Sequence, residues 1–218
     1  MTDKSDAELI AELLEDNRRL RRLLDQQDTS GELRHRLRNT LALLRAVIRE
    51  SANTERDLSS YVGHLGDRLD AISRAQAQAD QHGEVNLRTL LLEEIFQYGK
   101  HESERFLLSG PDIRLQPKSG QILGLALHEL AVNAVEYGAL GTDNGHIEIM
   151  WSVVQKEPGP QLRLIWKERG LMIGAKPAHR GFGTRVLTHV LAYNLNAETD
   201  IIFEDDEFSC TIEFPLPE

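Results

Sequence analysis

The stretch Ala126-Leu-His-Glu-Leu-Ala-Val-Asn-Ala-Val-Glu-Tyr-Gly138 constrains this chain most, because it sets polar groups into a helix that is otherwise apolar. Leu123, Leu127, Leu130 and Ala134 recur at helical spacing and form one apolar stripe. Glu129 and Asn133 stand four apart on the adjoining face, one turn above the other. Burying a carboxylate or an amide without a partner costs about 1 to 3 kcal/mol, so either the protein or a ligand must satisfy them. From this stretch alone both solutions are open, and buried polar groups are most often paired within the protein.

A second segment favours the ligand. Gly181-Phe-Gly183-Thr184 opens a strongly helical run to Asn194, and glycines there let backbone N–H groups approach a phosphate at a helix N-terminus. Together the two segments resemble the N box and glycine box of the Bergerat ATP-binding fold of the GHKL superfamily. Their wording is most similar to that of the bacterial HWE and HRxxN histidine kinases. The resemblance implies ATP and Mg²⁺ as cofactors, with Asn133 as a Mg²⁺ ligand and Glu129 placing water or metal near the phosphates. It likewise implies that Gly181, Gly183 and Thr184 hold the phosphates. Trp166-Lys-Glu168 resembles the Trp-x-Glu signature of the HWE class, which assigns Glu168 to recognition of the base. Gly170 then opens a short ATP lid, 170–180, containing Gly174 and Pro177.

Upstream, Leu33, Leu37, Leu41, Leu44 and Ile48 mark one amphipathic helix and Leu58, Val62, Leu65, Leu69 and Ile72 a second. Stripes this thin bury too little to stand alone, so two such hairpins joining as a four-helix bundle, a homodimer, is the expected solution. His35 lies off the first stripe and is expected to point outward, with Asn39 one turn along the same face, on a helix that Arg34, Arg36, Arg38, Arg45 and Arg49 make the most basic stretch of the chain. By position alone it could be an ordinary solvated histidine. His35-Arg-Leu-Arg-Asn39 is, however, similar to the phospho-acceptor motif of the HRxxN kinases. The resemblance makes His35 the acceptor and Asn39 the group that orients it. The chemistry suits, since imidazole is substantially neutral near pH 7 and can attack phosphorus.

Charge narrows the partners. A net charge of -10 is a poor match for a phosphate backbone, so no nucleic acid is expected. No apolar run approaches a membrane span and no hydrophobic signal core follows Met1, so the expected location is cytoplasmic, with no membrane contact. The single Cys210 reads as a small buried hydrophobe. His64, His82, His101, His146, His179 and His189 have no zinc-like spacing, and His128 reads as a packed helix residue.

The expected fold class is α+β. Residues 1–29 form a coiled-coil-like helix, with Leu9, Leu13, Leu20 and Leu24 near heptad spacing. Residues 30–82 form the helical-hairpin dimerisation and histidine-phosphotransfer domain. Residues 83–218 form an α/β sandwich of the Bergerat type with one mixed sheet. In it Asn86 caps a helix to Tyr98, and strands are expected at 105–108 and 113–115 about the turn Ser109-Gly-Pro-Asp112, then at 146–154, 161–166, 198–203 and 209–214.

The resemblance implies a two-component histidine kinase that autophosphorylates His35 and passes the phosphoryl group to an aspartate of a response-regulator receiver domain, with a separate sensory partner. One alternative is a histidine phosphotransferase or pseudokinase with a degenerate ATP-binding domain. Glu136, where the family usually has Lys, and the loop Gly170-Leu-Met-Ile-Gly174, which lacks the usual Gly-Gly-Pro, support it. A second is an ATP-driven structural switch of the chaperone or anti-sigma type, against which the His35 hairpin argues.

Overall fold

The computed structural model describes residues 31, 34, 37–52, 57–98, 105–171, 181–204 and 206–216. The segment 1–29 expected as a coiled-coil-like helix, the expected acceptor His35 and residues 172–180 of the expected lid lie outside them. The chain divides into two units, Met1–Arg45 and Ala46–Glu218. The boundary expected at 82/83 therefore falls inside the second unit.

Helix α1 covers 37–52 and helix α2 Leu58–His82. Asp57 caps α2 by accepting from the amides of Ser59 and Ser60, and Gly83 ends it in the left-handed conformation at φ 76. The face α2 buries coincides with the expected apolar stripe only at its C-terminal member, Ile72, with Leu65 and Leu69 half-buried. Leu58 and Val62 are 77% and 58% exposed, while Arg68, Ala71, Ile72, Ala75, Gln78 and Ala79 are buried. The reason is packing of the C-terminal half of α2 on α4, where small residues allow close approach and polar ones find partners.

Strand β1 (Val85–Asn86) leads into α3 (Leu87–Tyr98), and the Asn86 carboxamide oxygen accepts from the Thr89 amide as the expected cap. Strands β2 (Phe106–Ser109) and β3 (Arg114–Leu115) form where expected but do not pair with each other. β3 pairs antiparallel with β1, and β2 pairs in parallel with β4 (His146–Lys156). The turn between them is a crossing from one sheet to the other. It is anchored by Trp151, whose indole donates to the Pro111 carbonyl at 2.7 Å.

Helix α4 (Pro117–Glu136) starts on a proline, the residue best suited to a first turn without amide donors. Gly120 through Ala131 are buried without a break, so this helix is enclosed on all sides. It touches α2, α3 and the later helical segment. The main sheet has the order β2-β4-β5-β7-β6, with β5 Gly159–Arg169, β6 Glu198–Phe203 and β7 Glu207–Pro215. All its pairs but the first are antiparallel, which makes it mixed as expected. Ile147, Ile149 and Trp151, Leu162, Leu164 and Trp166, and Cys210, Ile212 and Phe214 alternate along three neighbouring strands and supply one buried face.

Candidate functional site

Glu129 has its partner inside the protein. It is 3% exposed, and Arg68 of α2 donates from Nε to its Oε1 at 2.7 Å and from Nη2 to its Oε2 at 3.4 Å. Arg68 Nη1 donates to the Ser51 hydroxyl at 3.1 Å, and the guanidinium carbon lies 3.6 Å from the centroid of the Phe182 ring. A buried pair with this many bonds is far more costly to break than to omit. Removing one partner of such a pair costs about 3 to 5 kcal/mol. Sequence reading missed Arg68. Its signal was a cation three residues after Leu65 and four before Ile72, within the face of α2 that meets the core.

The glycine segment meets this pair. Phe182 to Leu195 winds as α5 (Phe182–Arg185), a π-helical segment (Val186–Val190) and α6 (Leu191–Leu195), ended by Asn196 in the left-handed region at φ 53. A Cβ on Gly183 would stand 3.1 Å from Asn133 Nδ2 and 3.2 Å from Glu129 Oε2. Glycine there keeps the backbone against both polar groups of α4. Gly181 precedes the helix in extended conformation, and a Cβ on it would meet nothing, so no steric need marks that glycine. Thr184 lines a cavity of about 520 Å³ with Ala46, Glu50, Arg185 and Asn194, a space that Glu129, Asn133 and Glu168 do not line.

Glu168 is buried, not a strand-end carboxylate in water. Its Oε2 accepts from the Ala139 amide and its Oε1 from the Trp166 indole, both at 2.9 Å. Burial pushes its pKa up, while these two donors pull it partly back. The Trp of Trp-x-Glu is thus the carboxylate's own hydrogen-bond partner. Gly138, just past α4, is forced by the same group, since a Cβ there would collide with Glu168 Oε2. Each carboxylate oxygen keeps a further lone pair for an incoming donor. Gly170 follows at φ 77 with a Cβ position 3.1 Å from Gly145 Cα, a place for glycine on both counts. Its carbonyl accepts from the Thr142 hydroxyl at 3.1 Å.

The structure therefore brings Glu129, Asn133 and Gly183 together and sets Glu168 and Gly170 beyond the C-terminal end of α4. Asn39 lies on α1 in the first unit, half-buried. Glu136, exposed at the end of α4, has His64 Nε2 of α2 at 4.0 Å. His128 is packed as expected, with Nδ1 3.3 Å from Glu94 Oε2, and Glu94 also pairs with Arg74. Among the described residues no group of three His, Cys, Asp or Glu could hold a metal ion. The residues fit a Mg²⁺ that would be held mainly by phosphate and water, with one neutral amide from Asn133 and the buried Gly183 backbone packed beside it.

Residues 32–112 match the family model described as HWE histidine kinase. The chain is 41% identical over 150 residues to a blue-light-activated histidine kinase of Erythrobacter litoralis, covering 66% of this chain and 40% of that protein. A blue-light-activated histidine kinase of Brucella anthropi is 28% identical over 195 residues, or 88% of this chain and 40% of its own length. The chain thus spans two fifths of these relatives. A solved histidine kinase domain of a blue-light-activated kinase from Erythrobacter litoralis shares the fold, with a TM-score of 0.52 at 17% identity over 81% of this chain and 96% of that one. Over residues 32–112 the chain is therefore similar to the HWE histidine kinases, and it shares the fold of a histidine kinase domain.

Proposed function

We propose that this chain is the core of a two-component histidine kinase. ATP binds against α4 and the glycine segment, His35 takes the γ-phosphoryl group, and an aspartate on a response-regulator receiver domain accepts it in turn. The observation that carries this reading is the convergence of Asn133, Glu129 and Gly183 in a fold shared with a histidine kinase domain. Asn133 contributes one oxygen ligand to Mg²⁺, which neutralises phosphate charge when bound. Gly183 and Thr184 offer backbone amides to the phosphates, Gly181 leads into that turn, Glu168 takes a hydrogen bond from the base, and Gly170 opens the lid. A neutral nitrogen of His35 attacks the γ-phosphorus, ADP leaves, and the imidazole gives up its proton. Asn39 orients the ring. Positioning and charge do most of the work in such a transfer.

Residues 30–82 serve as the phosphotransfer hairpin and 83–218 as the ATP-binding domain. The exposed Leu37, Leu41 and Ile48 on α1, and Leu58 and Val62 on α2, support a homodimer through that hairpin. No described helix is long and apolar enough to cross a membrane, and we read the compartment as the cytoplasm, with input from a separate sensory partner. Incubation with γ-labelled ATP tests the reading. The label should be lost in acid, survive base, and be absent from His35→Ala protein that still binds nucleotide. Labelled His35→Ala protein would overturn the assignment.

A further inference from the structure

We propose that Arg68, on the hairpin helix α2, is a positioning residue of the ATP site, so that phosphate binding depends on α2 being docked on α4. This rests on the reading of Glu129, Asn133 and Gly183 as the phosphate end of that site. Arg68 makes three contacts that converge there. It holds both oxygens of Glu129, it stacks on Phe182 between Gly181 and Gly183, and it donates to Ser51 at the end of α1. At 6% exposure it is an internal strut, with its charge answered by Glu129. Two consequences follow for a phosphate. Glu129 stands 3.2 Å from where a Cβ on Gly183 would be, and an unpaired carboxylate there would repel the ligand; Arg68 cancels that charge. The Phe182 ring is also held, which fixes the backbone between the two glycines. Other α2 contacts reach α3 and α4 at a distance from the glycines: Arg74 with Glu94, Gln78 with Glu93, and Gln76 with Gln121. Arg74 ties α2 to α3 and touches neither Glu129 nor Phe182, which makes it the natural control.

The test is titration of the full chain with Mg·ATP and a fluorescent nucleotide analogue, with melting temperature read on the same samples. Arg68→Met should raise the dissociation constant about tenfold, the scale of a modest coupling between two sites. Arg68→Lys should recover part of that loss, because a point charge can pair with one carboxylate oxygen but cannot hold both and stack on the ring. Arg74→Met should lower the melting temperature while keeping wild-type affinity. In a Glu129→Gln background, Arg68→Met should add little further loss. Wild-type affinity in Arg68→Met or in Arg68→Lys overturns the proposal, as does an equal loss in Arg74→Met or tighter binding without Arg68. Should Arg68→Met fail to fold, Arg68→Lys decides alone. A wild-type chain that binds no Mg·ATP overturns the ATP-site reading itself, a different result from wild-type binding that ignores Arg68.

Discussion

At the scale of single residues, the site is built by close approach. Gly138 is the clearest case, because its missing side chain is the space in which Glu168 Oε2 receives the Ala139 amide. Gly138→Ala should displace that carboxylate and cost about 1 to 3 kcal/mol of stability, the usual scale of overpacking. Chemical denaturation of the two proteins measures it, and unchanged stability would show that the carboxylate yields freely. Glu168 also gives the protein a pH signature. Its folded pKa is raised by burial, so the folded state binds the proton more tightly than the unfolded chain does. The stabilisation from that proton is fully present below the unfolded pKa and is lost as pH rises through the folded one. The melting-temperature advantage of wild type over Glu168→Gln should therefore shrink as pH rises across that window. An advantage that grows with pH would mean that the two donors outweigh burial.

At the scale of elements, α2 has two different halves. Its C-terminal half is closed against α4 by Ala71, Ala75 and Ala79 with paired polar groups, while its N-terminal half leaves Leu58 and Val62 in solvent. An isolated helix has no use for that exposed stripe, and a second copy does. Val62→Glu should convert a dimer to a monomer in light scattering, with little change in the fold of each chain because the site is on the surface. A monomeric wild type, or a Val62→Glu dimer, would remove the hairpin as the interface. The sheet shows the limit of local signals. Alternation marked β4, β5, β6 and β7, but nothing local named the partners of β2 and β3, which flank Ser109-Gly-Pro-Asp112 and belong to separate sheets. Short strands carry too few residues to name their partners.

At the scale of the whole molecule, α4 is the enclosed helix of the second unit, buried from Gly120 to Ala131 beside its other helices. Cys210, on β7, reports on the packing of the main sheet's buried face. It is fully buried and its thiol is pushed up to about 12 by burial first and by the charges of Asp200 and Glu168 after it. A disulfide reagent should leave the native protein unmodified and label it at the rate of unfolding; fast labelling of native protein would contradict this closed packing. What the sequence determined by itself was the fold class, the Asn86 cap, the long strands and the candidacy of Glu129, Asn133, Gly183 and Glu168, because helical period, strand alternation and local motif chemistry are all written within a few neighbours. Only the tertiary structure decided who meets whom. It placed Arg68 on Glu129, 61 residues apart in sequence, Glu168 in the notch of Gly138, and α2 on α4 by its small and polar residues instead of its leucines. A buried charge is stable only with a partner across the core, and a partner that distant in sequence leaves no periodic trace.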